Sequence, residues 1–402
     1  MRFRLSRNSS DKLSSHTRMA LLDVYHGAAS GIFSCDEHLA GLHPSHGTEL
    51  CTVVEAMWSY EVLFLVQGDP KFAERAEKLA YNALPAELTE DMWAHQYLQQ
   101  PNAVQASVQE DHFWHHDGVD ATTMNLEPNF PCCTGNFNQG FPKFATNLAA
   151  KGPGMLVLAM LAPCRITTRL SSSAGVTSVN VSTSYPWGST LNISIAAPTP
   201  FTFAFRVPAW AESATVNGAV LPPLSNGTLH RIAVAAGKTV LEIVLPMQIR
   251  VERRYNNAAS IFRGPLLYSL NLSATQTEMD YCKPLNGSQT DGSTMFCSNA
   301  TYQVEQHGYS YSNASAWNYG INVSSLEFEE VTGLDRSVPF STSKSPVAIN
   351  AKARQVDWGI EHGSAAAPPQ SPVKSGAAEE TVRLIPYGST HGLSLVELPT
   401  LA

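Results

Sequence analysis

Three thiols and one carboxylate in the first third of the chain have the residue types of a metal-assisted site. Glu49 and Cys51 stand one residue apart, and Cys132 and Cys133 are adjacent. Three thiolates and a carboxylate can complete a tetrahedral zinc site, because Zn2+ accepts sulfur and carboxylate oxygen alike and has no d-electron geometry to satisfy. The short ligand spacing of common zinc modules is absent, since the two halves lie far apart in the sequence. Each half alone is ordinary: Glu-x-Cys occurs in many helices, and paired cysteines often serve as small buried hydrophobes. Glu37, in Phe33-Ser34-Cys35-Asp36-Glu37-His38, precedes the Glu-x-Cys stretch by a loop of His, Pro and Gly. A carboxylic acid beside a thiolate could protonate a leaving group, whereas an isolated loop acid is merely solvated.

The elements that must position these groups change character near residue 152. Before it the apolar residues recur at three and four, which predicts a helix over 48–66, with Leu50, Val53, Val54, Met57, Trp58, Leu63, Phe64 and Leu65 on its apolar positions. Gly68-Asp69-Pro70 ends that helix and restarts the next over 70–83, giving an αα-hairpin. A third helix over about 136–150 places the cysteine pair just before its start, and about four helices are visible in all. Between the second and third helices, residues 87–130 are rich in Gln, Asn, His and Trp, and a connection of that length suggests a binding surface. After residue 154 the period falls to two. Short segments at 176–184, 191–196, 201–207, 230–234 and 240–245, separated by Gly, Pro, Asn and Ser, read as an antiparallel β-sandwich. A second, less regular β region follows from about 261, with a flexible segment at 363–376. The expected organisation is α+β and multidomain: a helical unit over 1–152, a sandwich over 153–260 and a second, less regular β region with a flexible tail over 261–402.

Composition narrows the function classes. The chain has 402 residues, of which 44% are hydrophobic and 15% charged, with a net charge of -8. That is enough apolar material for packed cores, and the mild acidic balance lacks the basic stripe that a phosphate backbone demands, so no nucleic-acid partner is expected. No apolar run reaches the ~18–20 residues of a bilayer span, so no membrane partner is expected either, and the N-terminus lacks the apolar stretch of a signal peptide. Nine Asn-x-Ser/Thr sequons, at Asn8, Asn180, Asn192, Asn226, Asn271, Asn286, Asn299, Asn313 and Asn322, nevertheless lean towards a secreted glycoprotein. Seven cysteines are too few for a disulfide scaffold, although Cys282 and Cys297 bracket a loop that a disulfide could close.

The motifs in combination resemble glycoside hydrolase family 127, the β-L-arabinofuranosidase family. The helical half carries Gly47-Thr48-Glu49-Leu50-Cys51, then Gly68-Asp69, Glu77, Tyr81-Asn82 and Cys132-Cys133-x-x-Asn136. The β half carries Tyr185-Pro186-Trp187, Phe205-Arg206-Val207-Pro208-Ala209-Trp210, Val216-Asn217-Gly218, Leu245-Pro246-Met247 and Arg263-Gly264-Pro265-Leu266. The resemblance covers roughly residues 26–270. It implies an (α/α)6 barrel followed by β-sandwich domains, of which this chain, with about four visible helices, would hold only the later part of the barrel. It further implies that Glu49, Cys51, Cys132 and Cys133 hold Zn2+, that Cys132 is the glycosidic nucleophile and that Glu37 is the general acid/base. Glu77 would be a carboxylate near the sugar and Tyr97 a pocket aromatic, with His46 and His95 as further pocket candidates flanking the motifs. Two departures accompany it: the 37–49 loop is short, and Thr134-Gly135 stands where the family typically has two prolines.

Three readings follow. The first is a zinc-dependent retaining glycosidase acting on β-L-arabinofuranosides or a related sugar, with a carbohydrate partner and an unspecified oligomeric state. The second is an inactive remnant that binds carbohydrate or serves structurally. The third is a β-sandwich interaction module with a helical appendage. Other prominent residues have plainer readings: Trp187, Phe205 and Trp210 pack the sandwich, and His112, His115 and His116 form a solvated loop cluster.

Overall fold

In the computed structural model, residues 9–171, 175–222, 227–280, 307–331, 338 and 340–402 are described. The organisation is α+β, as the sequence patterning predicts, with the helices gathered ahead of the strands. Five α-helices occur among the described residues: α1 (Ser9–His26), α2 (Leu50–Gln67), α3 (Pro70–Tyr81), the single turn α4 (Ala83–Ala86) and α5 (Cys132–Thr146).

The α2–α3 hairpin follows its sequence signals closely. Gly68 caps α2 in the left-handed region, its N–H bonding to the Phe64 carbonyl, and the Asp69 carboxylate accepts from Lys71 N at the start of α3. By length and composition α2 alone among the described helices could cross a membrane, contrary to the expectation that no run is long enough. Seven of its residues are buried, and contacts with α3 and α5 give that apolarity a place. The third helix departs further from expectation. It starts at Cys132, four residues early, so both cysteines lie in its first turn; it stops at Asn147, which donates from its backbone N–H to the Lys143 and Phe144 carbonyls. The segment expected to continue the helix is instead the strand Ala149–Gly152.

Two sheets face each other in the middle of the chain. One has the order Thr228–Val234, Phe201–Val207, Met155–Leu158, Ala149–Gly152; the other has six strands from Cys164–Thr168 to Gly237–Val244. Phe201–Val207 is buried along nearly its whole length rather than alternately. Its Arg206 supplies the reason: the side chain reaches Glu77 on α3, so this strand packs against the helices as well as the opposing sheet. A seven-stranded sheet follows, beginning with Ile249–Arg253. At the edges of these sheets, 149–152 pairs with Met155–Leu158, and Ile249–Arg253 pairs with Ala259–Arg263.

The C-terminal segment is not a free tail. Ser394–Leu395 pairs with Asn102–Ala103, Asn102 Oδ1 accepts from Val396 N and Glu397 N, and the Tyr387 hydroxyl donates to Gln99. The 363–376 stretch, expected to be flexible, is also engaged: Ser364 Oγ accepts from Gln100 Nε2, and Val373 N donates to the Thr400 carbonyl. Together these segments brace the 87–130 connection from behind. Cys282 and Cys297 lie outside the described residues.

Candidate active site

The short strand Thr48–Glu49 is the keystone of the site. It pairs with Leu98–Gln99, while Glu49 N donates to the Cys35 carbonyl and Leu50 N, the first amide of α2, donates to the Tyr97 carbonyl. Gly47 permits this approach: its φ is +85°, and a Cβ there would stand 3.0 Å from the Gln99 carbonyl oxygen. The backbone thus delivers Glu49, Cys51 and Tyr97 to one place. Helix α5 brings Cys132 and Cys133 against them, and a close crossing is needed there too, since a Cβ on Gly140 would meet Leu84 at 2.7 Å.

The four sequence-expected ligands converge. One ligand atom from each of Glu49, Cys51, Cys132 and Cys133 lies within 4.8 Å of the others, and among the described residues this is the only such group of His, Cys, Asp or Glu. Cys51 and Cys133 sulfurs are 3.3 Å apart, too long for a disulfide and close to the roughly 3.8 Å edge of a tetrahedron with ~2.3 Å metal–sulfur bonds. Glu49 Oε1 stands 3.8 and 3.9 Å from the Cys132 and Cys133 sulfurs. The donor chemistry and the spacing fit a divalent, thiophilic cation.

Electrostatics favours a cation in the same place. Burial pushes the Glu49 carboxyl up, and Cys132 and Glu37 add to the effect. Glu87, fully buried, is pushed well up by burial and then by Cys51 and Glu49, and burial raises Asp117 to about 8, reinforced by Asp36, Glu49 and Glu37. Glu49, Glu87 and Asp117 are thus penalised for ionising by burial first and by their negative neighbours second, and a cation among them would relieve that repulsion. Cys132 moves the other way, down to about 5, because Cys133 and then Tyr97 hydrogen-bond to its sulfur, whereas burial drives Cys133 up.

Tyr97 ties the remaining expected group to this centre. Fully buried, it holds its hydroxyl 3.2 Å from Glu49 Oε1, 3.4 Å from Glu37 Oε1 and 3.5 Å from the Cys132 sulfur. The single hydroxyl proton can satisfy only one of these three acceptors at a time. Glu37 itself is exposed and sits at φ +63°, a left-handed backbone that side chains other than glycine avoid and that clusters at functional positions. Phe130 lies edge-on to Tyr97 with its ring partly exposed, offering an apolar face beside these groups.

Residues 25–146 match the GH127 β-L-arabinofuranosidase catalytic domain, and residues 156–247 match the GH127 β-L-arabinofuranosidase middle domain. The two matches together take in more than half of the chain. The chain belongs to glycoside hydrolase family 127. Three solved structures share the fold. A GH127 β-L-arabinofuranosidase from Geobacillus stearothermophilus T6 superposes with a TM-score of 0.63 at 15% identity, covering 97% of this chain and 58% of its own. A GH127 β-arabinofuranosidase gives 0.59 at 16%, covering 94% and 54%, and a protein described as a glycoside hydrolase gives 0.60 at 19%, covering 90% and 53%. No curated protein matches the sequence. The family 127 chain described here spans a little over half the length of these solved relatives, so its helices form part of a barrel, followed by β domains.

The other sequence-expected pocket residues lie elsewhere. Glu77 is buried between α3 and the sandwich, where its carboxylate pairs with Arg206, accepts from Leu161 N at 2.6 Å and accepts from the Tyr185 hydroxyl. Both of its carboxylate oxygens are engaged inside the fold, which ties α3 to the strands. His95, 1% exposed, holds the first turn of α5: Nδ1 bonds to the Gln96 carbonyl, and Nε2 meets the Thr134 hydroxyl at 3.1 Å, which in turn donates to the Leu126 carbonyl. His46 stacks on His43 and bonds to the Ala40 carbonyl, outside the thiol cluster. Trp187 and Phe205 are core residues as expected, with Trp210 half-buried against that core. Sequence reasoning overlooked Asp36, His38, Asp117 and Thr134. Adjacency to Glu37 and to the cysteine pair is the signal that marks His38, Asp36 and Thr134; only the fold brings in Asp117.

Proposed function

We propose that this family 127 chain carries the catalytic centre of a zinc-dependent retaining glycosidase for non-reducing-end β-L-arabinofuranosides or a closely related sugar. The observation that carries the reading is the Tyr97 hydroxyl, which lies within hydrogen-bonding reach of a nucleophile, an acid and a metal-type carboxylate at once. Glu37 and Cys132 are therefore no further apart than those two hydrogen bonds laid end to end, which admits the ~5–5.5 Å separation of a retaining pair.

In the first step the Cys132 sulfur forms a bond to the anomeric carbon as the glycosidic C–O bond breaks, and Glu37 gives its proton to the departing oxygen. In the second, water attacks the same carbon, its proton passes to Glu37, and the C–S bond breaks to restore the Cys132 thiolate. Tyr97 orients both groups and releases a hydrogen bond to whichever carries negative charge. Glu49, Cys51, Cys132 and Cys133 would hold Zn2+, which when bound keeps thiols deprotonated at neutral pH and fixes their aim. The strained backbone at Glu37 aims the acid without help from side-chain packing.

The test is hydrolysis of an aryl β-L-arabinofuranoside by zinc-loaded protein, with intact-mass analysis of the quenched reaction. A sugar adduct on the chain that disappears in Cys132→Ser, together with loss of turnover, is the expected result; full hydrolysis by Cys132→Ser would remove Cys132 from the role. Zinc binding without any hydrolysis would favour the second reading, a carbohydrate-binding or structural remnant. Of the described sequon asparagines, Asn180, Asn192, Asn271 and Asn322 are exposed, which supports glycosylation in a secretory compartment. Enzymatic deglycosylation of secreted protein should then lower its mass.

A further inference from the structure

Three exposed imidazoles gather beside Glu37 and take no part in the chemistry above. His38, the next residue, sets its ring edge-on to His115 with centroids 5.4 Å apart, and His116 stands 6.2 Å away on the same side. The two loops that carry them are joined by Asp36. This side chain is fully buried; its Oδ2 accepts from the His115 backbone N–H at 2.7 Å, while Oδ1 has no hydrogen-bond partner among the described residues. Asp117 places another buried carboxyl nearby, with Oδ2 likewise unpartnered, and His46 feels Asp36, His115 and His38 together. His112, two residues before Trp114, is spent on that ring, stacked at 4.4 Å.

Charge and spacing select the ligand. A metal would need several ligand atoms already close together, and among the described residues only the Glu49–Cys51–Cys132–Cys133 group has them. An anion would be set against the carboxylates of Asp36 and Glu37, and like charges at short range oppose it. A neutral sugar ring meets neither difficulty. Imidazole edges both donate to and accept from hydroxyl groups, and imidazole faces pack against the C–H face of a sugar.

We propose that His38, His115 and His116 form a subsite for the neutral sugar on the leaving side of the scissile bond. This rests on Glu37 as the proton donor, because a donor stands on the leaving-group side. His38 is bonded directly to that residue, and its ring stands against those of His115 and His116.

Binding can be read without turnover. Zinc-loaded protein is titrated with L-arabinose, D-xylose and D-galacturonate while the histidine ring resonances are followed by NMR, in parallel with a His115→Ala/His116→Ala variant. The expected result is a saturable shift of the His115 and His116 resonances with the neutral pentoses, weaker with the uronate, and affinity lowered about fivefold or more in the variant. Tighter uronate binding, saturation by a second equivalent of zinc, or no shift at all would overturn the proposal. Sugar binding without hydrolysis would keep the subsite and defeat the catalytic reading, while hydrolysis with silent histidines would do the reverse.

Discussion

The centre of this site is a set of acids that burial and proximity make reluctant to ionise together. Asp117 shows the consequence. Its folded pKa of about 8 lies above the ordinary 3.8, so the folded chain holds a proton there that the unfolded chain releases. A raised carboxyl leaves stability undiminished below the unfolded value and erodes it as pH rises towards the folded one. In metal-free protein the stability should therefore decline between pH 4 and 8, and Asp117→Asn, which keeps the contact with Asn129 Nδ2, should flatten that decline by roughly 1–3 kcal/mol. Urea midpoints at pH 5 and pH 7.5 give the answer, and an unchanged slope in the variant would contradict it. The residues that matter here were unevenly legible. Thiols and carboxylates identify themselves by chemistry even when far apart in sequence, but the buried carboxyl of Asp117 reaches the centre only through a loop whose path no local pattern specifies.

At the scale of the element, the first turn of α5 decides whether the cysteine pair is aimed. Pro131, immediately ahead of Cys132, was the available start signal, yet apolar periodicity alone delayed the helix by four residues because Cys, Thr, Gly and Asn are weak helix formers. The turn is fixed from outside, by Thr134 bridging the Leu126 carbonyl and His95. Thr134→Val keeps the shape and removes the hydroxyl, leaving buried groups unpaired at a cost of about 1–3 kcal/mol. The expected outcome is a lower unfolding midpoint together with weaker zinc retention under chelator competition; a variant equal to wild type in both would mean the clamp is idle. The β half was more legible than the helices, because strands such as Thr190–Ala197 alternate strictly between buried and exposed residues, whereas Phe201–Val207 hides its alternation by packing on both faces.

Across the whole molecule, the helical unit and the sandwich are bolted together by charge inside the core. Arg206 is fully buried and pairs with Glu77, with Glu74 at 3.8 Å from its Nη1. Glu77→Gln would strand that guanidinium, costing about 3–5 kcal/mol, whereas Glu77→Gln combined with Arg206→Met should recover much of the loss. Unfolding by urea separates the two outcomes, and a silent Glu77→Gln would remove the anchor. A sequence cannot reveal that a motif carboxylate is paired with an arginine of a distant strand, and Glu77 is the instance. The apolar faces of α1 and α2 border a groove of about 750 Å3, with Trp58, Leu65 and Leu21 exposed nearby, as expected for helices taken from a larger barrel. The helical unit exists to assemble the metal centre, and zinc content by elemental analysis of purified protein, wild type beside Cys51→Ala, measures whether it does. About one zinc per chain, lost in the variant, is predicted; a chain without zinc, or a variant that keeps it, would contradict the four-residue site.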